Sequence, residues 1–179
     1  GATVDTTAVV LGDDVGVAAV SKVLAEHHVL EAHPAALVIR TAPFFSPWDD
    51  DNFVAVALRA LSQRRAFRAA ADTVVSPTYV PDLVNAALDL MIDGARGIWH
   101  LANRGAVTWA DLVQESAAVA GIDPACLVRC PAVALGHAAR RPAYCALGSQ
   151  RGVLLPPLGD SLARYLADRG PGWTRKQAA

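Results

Sequence analysis

Short apolar runs alternate along the chain with longer stretches of helical period. Thr6-Thr7-Ala8-Val9-Val10-Leu11 is a brief apolar run closed by Gly12-Asp13-Asp14, which predicts a buried strand ending in a turn. From Val15 to about Glu31, Val20, Val23, Leu24 and His27 recur three and four positions apart, as one face of an amphipathic helix does. His33-Pro34 stops that helix, because a proline ring disfavours helical geometry in the residue before it. Ala35-Ala36-Leu37-Val38-Ile39 is apolar without a break, the pattern of a strand covered on both faces. Strand, helix and strand in this order predict a βαβ unit with a right-handed crossover.

Further on, a second helix is expected from Asp51 to Arg65 and a short strand at Thr73 to Ser76. Pro81 to Ile92 reads as a third helix, with proline in its first turn and Gly94 just past its end. Gly97 to Ala102 reads as a strand. Thr108 can cap a helix running from Trp109 to Ala120 that Gly121 ends. Leu127 to Cys130 suits a strand and Gly159 to Ala167 a last helix, while the chain after Gly170 reads as a loose polar tail. The order is mixed α/β without an internal repeat.

Composition narrows the class. The 179 residues are 53% hydrophobic and 18% charged, which predicts a folded chain. The apolar surplus is mostly alanine and valine and aromatics are only 6%, favouring close-packed helices. Sixteen basic and 17 acidic residues give a net charge of −1, which steers the chain toward neither nucleic acid nor an anionic membrane. No apolar run approaches the roughly 20 residues of a membrane span. The opening Gly1-Ala2-Thr3-Val4-Asp5 lacks the charge and apolar core of a signal peptide. Cys126, Cys130 and Cys145 are too few and odd in number for a disulfide framework, so buried thiols in a reducing cytoplasm are expected. His27, His28, His33, His100 and His137 show no HExxH spacing and are expected on the surface or satisfied in the core, with no metal site.

Two charged groupings are also expected to be plain. Arg59, Arg64, Arg65 and Arg68 could meet a diphosphate, but cations at a helix C-terminus also complement its dipole. Asp49-Asp50-Asp51 reads as a solvated loop leading into a helix rather than a cation site.

Three stretches carry a family resemblance. Asp72 to Leu83 contains Pro77-Thr78-Tyr79 and Asp82; Gly97 to Leu112 contains Trp99-His100 and Trp109; Arg141-Pro142 leads to Tyr144 and Leu147, then to Leu154-Leu155-Pro156-Pro157. Upstream, Ser21-Lys22, Glu26, Leu37 to Thr41 and Asn52-Phe53 fall in matching order. From about residue 16 to 168 the chain resembles the C-terminal, substrate-binding part of the dTDP-4-dehydrorhamnose reductase family of extended short-chain dehydrogenase/reductases. The resemblance implies a partial Rossmann-like parallel sheet with helices, a remnant over residues 1–70, then the small substrate-binding lobe over 71–168 and a tail over 169–179. It implies substrate contacts from Thr41, Phe53, Pro77, Thr78, Arg141 and Tyr144, with a dTDP-sugar as the ligand.

The family reduces a 4-keto sugar with NADPH or NADH. A tyrosine gives the proton, and a lysine one helical turn later lowers its pKa and holds the nicotinamide ribose. Lys22 matches the lysine, but Ala18 stands in the tyrosine's place. Gly12-Asp13-Asp14-Val15-Gly16 has two glycines rather than three and two carboxylates that would repel a pyrophosphate, so it reads as a turn and not a cofactor loop. The tryptophan usual after Arg40-Thr41-Ala42 is Pro43 here, followed by Phe44-Phe45, with Trp48 a possible substitute. The expectation is a nucleotide-sugar-binding or scaffold domain, a pseudoenzyme that binds no cofactor by itself. Alternatives are a fragment of a working reductase whose cofactor half is supplied elsewhere, and a pure protein-interaction module. A preceding domain of the same polypeptide, or self-association through an exposed sheet edge, is the expected protein partner.

Overall fold

The computed structural model describes residues 17–136, 142–152 and 155–170, with side chains from residue 20 onward. The Thr6–Leu11 run, the Gly12–Gly16 turn, His137 and Arg141 lie outside the described residues. The elements in order are α1 (Val17–Ala32), β1 (Leu37–Thr41), β2 (Phe44–Phe45), α2 (Phe53–Ser62), β3 (Phe67–Ala70), β4 (Val74–Val75), β5 (Thr78–Tyr79), α3 (Val80–Ile92), β6 (Gly97–Leu101), β7 (Val107–Thr108), α4 (Trp109–Ala120), β8 (Leu127–Cys130), β9 (Tyr144–Cys145) and α5 (Leu158–Arg169).

β1 and β6 pair in parallel, Leu37 opposite Gly97 through Thr41 opposite Leu101. Because side chains alternate along a strand, Leu37, Ile39, Trp99 and Leu101 fall on one face. There they pack with Leu83, Ala86 and Leu90 of α3 and with Leu155. Arg40 and His100 fall on the other face, toward α1. All five residues of β1 are only half-buried, so the double cover predicted by its apolar run is incomplete. The reason is local: β1 has one strand neighbour among the described residues, and α1 sets the Glu26 carboxylate, paired with Arg40, among its half-buried apolar residues.

α1 also departs from its predicted face. The half-buried positions are Val20, Val23, Glu26 and Leu30, whereas Leu24 is 54% exposed and His27 points outward. A carboxylate, Glu26, faces the sheet because Arg40 lies below it, and that pair outweighs the apolar register.

The larger core lies elsewhere. Val54, Ala57, Leu58 and Leu61 of α2, Ala110, Leu112, Val113 and Ala117 of α4, and Leu158, Leu162 and Tyr165 of α5 close around Phe45 and Tyr79. β3 runs parallel to β8 beside this core, and β4 lies between antiparallel β7 and parallel β9. Caps set the helix ends. The Asn52 side chain accepts from Ala55 N at 3.0 Å, and Thr108 Oγ1 accepts from Asp111 N at 3.0 Å. Gly121 closes α4 at φ 65°, a left-handed conformation that glycine adopts without strain.

Candidate functional site

In open parallel sheets, ligands bind beyond the carboxyl ends of the strands. Here that end of β1 is Thr41, whose Oγ1 is buried and makes no hydrogen bond among the described residues. Beyond it the chain crosses to the β2–β5 pair, where Thr78 N donates to Pro43 O at 2.8 Å. Phe44, 53% exposed, lies opposite Thr78, and Trp48 and Tyr144 are 78% and 41% exposed. Thr41 and Thr78 therefore come to the same end of the molecule.

The side chains of the expected contacts differ in burial. Pro77 and Thr78 are buried, and Thr78 Oγ1 donates to Ser76 O at 3.3 Å. Phe53 stacks edge-on with Trp109 and Phe67, at 4.5 and 5.5 Å between ring centres, inside the α2–α4 packing. Lys22 is exposed on α1 and makes no hydrogen bond or ion pair among the described residues. Ala18 lies one turn earlier on that helix.

A polar relay runs beneath the strand ends. Arg40 grips Glu26 through Nε at 3.0 and 3.1 Å and Nη2 at 2.7 Å. Its Nη1 lies 3.4 Å from His100 Nε2, and His100 Nδ1 lies 2.8 Å from Gly148 O. A guanidinium only donates and a carbonyl only accepts, so His100 carries its proton on Nδ1. The relay ties α1, β1, β6 and the loop after Tyr144 into one unit.

A second network closes the lobe. Asn103 Oδ1 accepts from Tyr79 N at 2.7 Å, and its Nδ2 donates to Pro156 O, Ser161 Oγ and Asp82 Oδ2 at 2.9, 2.7 and 3.2 Å. Ser161 Oγ also donates to Asp82 at 2.7 Å, and Arg164 holds both Asp82 oxygens in a fork. Burial alone would raise the Asp82 carboxyl, but the hydrogen bonds from Arg164, Ser161 and Asn103 outweigh it and hold it below its ordinary value. Tyr79 Oη donates to Asp168 at 2.5 Å; burial, and then that bond, push the phenol well above its usual range. The network clips α5 to the start of α3 and the end of β6. Asp82, Asn103, Glu26 and Arg40 all stand within the stretches that carried the resemblance, yet nothing in their spacing marks them as partners.

The remaining charged groups are anchors. Arg59 Nη2 donates to Asp50 O at 2.9 Å, Arg65 Nε to Gln63 Oε1 at 2.9 Å, and Arg68 is exposed. The aspartate run is not merely a solvated loop: Arg169 pairs with Asp50 at 2.5 Å and donates to Asp49 O at 3.1 Å. The three cysteines are half-buried rather than fully buried, and none forms a disulfide. An open concavity of about 340 Å³ lies between Leu61, Arg64, Ile122 and Cys126, and it shares no residue with the strand-end site. Its surface is chiefly apolar, with Ser62, Arg64 and Asp123 as its polar members, and none of the residues that carry the family resemblance lines it, so the strand end is the better candidate.

These features define a Rossmann-like α/β domain. The crystal structure of dTDP-4-dehydrorhamnose reductase from Bacillus anthracis in complex with NADP superposes with a TM-score of 0.75 at 26% identity, over 82% of this chain and 53% of that one. The corresponding structure from Yersinia enterocolitica gives 0.76 at 19% identity over 84% and 56%, a likeness of fold alone. Residues 13–155 match the RmlD substrate binding domain, and the chain belongs to that family. The dTDP-4-dehydrorhamnose reductase of Mycolicibacterium smegmatis is 37% identical over 143 residues, 78% of this chain and 44% of that protein. The Mycobacterium tuberculosis reductase is 36% identical over 146 residues, 80% and 48%. The chain thus spans about half the length of the curated relatives it matches. Among the described residues no helix is long and apolar enough to cross a membrane.

Proposed function

We propose that this chain binds a dTDP-sugar at the carboxyl end of β1 and β6 and does not reduce it unaided. One observation carries the reading beyond family membership: the buried, unpartnered Thr41 hydroxyl at the strand end where such folds take ligands. A buried hydroxyl without a partner costs free energy on the order of 1–3 kcal/mol, which a ligand oxygen would recover. Phe44, opposite Thr78 in the next strand pair, offers an exposed ring near that end for a sugar or base, and Tyr144 offers another from β9. The three unbridged thiols accord with a reducing cytoplasm.

The residues present do not fit a nicotinamide cofactor. Lys22 stands exposed one turn from Ala18, so the lysine has no phenol one turn before it to act on, and alanine has no proton to give. We therefore derive no hydride transfer for this chain alone and expect no saturable NADPH binding in a fluorescence titration. Titration of the chain with dTDP-glucose, followed by amide chemical shifts, tests the binding site. Shifts at Thr41, Thr78 and Tyr144, and weaker binding by Thr41→Val, are expected; a spectrum unchanged at millimolar ligand refutes the proposal.

The chain's span of half its relatives' length favours a second reading, a fragment whose cofactor half comes from elsewhere. Ala18 separates the two, because a working reductase needs the phenol that alanine lacks. Turnover of a dTDP-4-keto sugar on adding a separate cofactor-binding half, with Ala18 unchanged, would establish the second reading.

A further inference from the structure

We propose that the solvent-facing side of α1 holds a divalent transition-metal ion, of the zinc class, between His27, His28 and Glu31. The three donor atoms lie within 4.8 Å of one another, and among the described residues no other such group occurs. His27 Nδ1 is 3.7 Å and His28 Nδ1 3.8 Å from the same oxygen, Glu31 Oε2. Ligands bound at about 2.1 Å around one zinc ion are separated by roughly 3 to 3.4 Å. Closing the group therefore needs only a small movement of side chains that are 69–74% exposed and free to turn.

Helix geometry explains why neighbours in sequence converge. Successive residues diverge by about 100°, so His27 and His28 alone would point apart, but Glu31 projects about 40° from the first and about 60° from the second. The carboxylate thus sits between the two imidazoles, one turn onward. Neither histidine nor Glu31 has an Arg or Lys partner among the described residues, so no cation of the protein competes for the carboxylate.

The donor set selects the ion. Two imidazole nitrogens and one carboxylate suit Zn²⁺, Ni²⁺ or Cu²⁺, whereas Ca²⁺ and Mg²⁺ require mainly oxygen ligands. Three protein ligands on an exposed surface leave the remaining positions to water, which sets micromolar rather than structural-site affinity. The ion would also chelate across one turn of a helix joined to the sheet chiefly through Glu26 and Arg40, and so steady it. This site is independent of the dTDP-sugar site proposed above.

The test is calorimetric titration of Zn²⁺ into the chelator-stripped, tag-free chain, with α1 amide shifts followed in parallel. One equivalent is expected to bind at micromolar Kd, with shifts centred on residues 27–31. His27→Gln combined with His28→Gln should weaken binding at least tenfold, and Glu31→Gln several-fold; all three side chains are exposed, so folding should be unaffected. Co²⁺ should give a spectrum without a thiolate charge-transfer band. Unchanged affinity in the double variant, or a thiolate band pointing to Cys126, Cys130 or Cys145, overturns the proposal.

Discussion

The sheet layer of β1, β6 and α3 and the larger core of α2, α4 and α5, called the lobe from here on, are built from similar residues but finished to different degrees. In the lobe, Val54, Leu58, Leu112, Val113 and Leu162 are 0–1% exposed and belong to one continuous cluster. In the sheet layer only Ala86, Leu90, Leu101 and Leu155 are buried together, β1 is half-covered throughout, and α3 turns Val84, Leu88, Met91 and Ile92 outward. The lobe is held by apolar packing sealed with a buried polar clip; the sheet layer rests on one strand pair and an ion-pair relay. Stability should therefore be concentrated in the lobe, and four measurements can break that contrast.

The largest effect should come from the lobe core. Leu162→Ala, at a fully buried position, is expected to lower unfolding stability by about 3 kcal/mol in urea titration, against about 1 kcal/mol for Ile39→Ala in half-buried β1. Equal losses would show that the two regions share one core.

Next comes the polar clip. Asp82→Asn should cost about 2–3 kcal/mol, because Arg164 loses its charged partner beside the buried Asn103 and Ser161. The folded carboxyl titrates below its unfolded value. Its contribution is therefore complete above the ordinary carboxylate pKa of about 4 and disappears as pH falls through the lower folded value. The wild-type chain should lose stability over that acid window, and Asp82→Asn should show a flatter profile. Parallel profiles would remove Asp82 from the clip.

A smaller loss belongs to the sheet layer. Glu26→Gln should cost about 1 kcal/mol, since the pair it forms with Arg40 is only 17–18% exposed. Its distinguishing sign is faster amide exchange in α1 with unchanged protection in α4. The smallest effect is a gain. Arg64 ends α2 at φ 53°, and Arg65 N reaches back to Ala60 O at 2.9 Å, so a side chain occupies a position that glycine fills without strain. Arg64→Gly should raise stability by about 0.5 kcal/mol, read from the urea midpoint.

What could be read beforehand follows the length of each signal. α4 was legible to the residue because Thr108 and Gly121 are chemical caps at its ends. β6 and β8 showed as apolar or β-branched runs, but the pairing of β1 with β6 did not, because the βαβ pattern couples β1 to the Thr6–Leu11 run, which lies outside the described residues. β2, β5, β7 and β9 are two residues long, too short for any alternation to register. The face of α1 was misjudged because Glu26 is buried against a cation that no local pattern reveals. The clip was illegible for a similar reason: Asp82, Asn103, Ser161 and Arg164 each look like a surface residue until the fold joins positions 82 apart. At the strand end, the family resemblance named Thr41, but only the structure shows that its hydroxyl has no partner.

The pairing of distant segments also governs how the chain must fold. β1 meets β6 across 60 positions, at Arg40 and His100, and the α5 clip closes across 82. Such non-local contacts bring little stabilisation until a long loop has been closed, and chains dominated by them fold slowly. On the ribosome, α2 would emerge well before α4 and α5, the partners that bury it. During that interval the nascent chain presents Val54, Leu58 and Leu61 to solvent. Synthesis rate and chaperone supply should therefore govern its soluble yield more strongly than its final stability does.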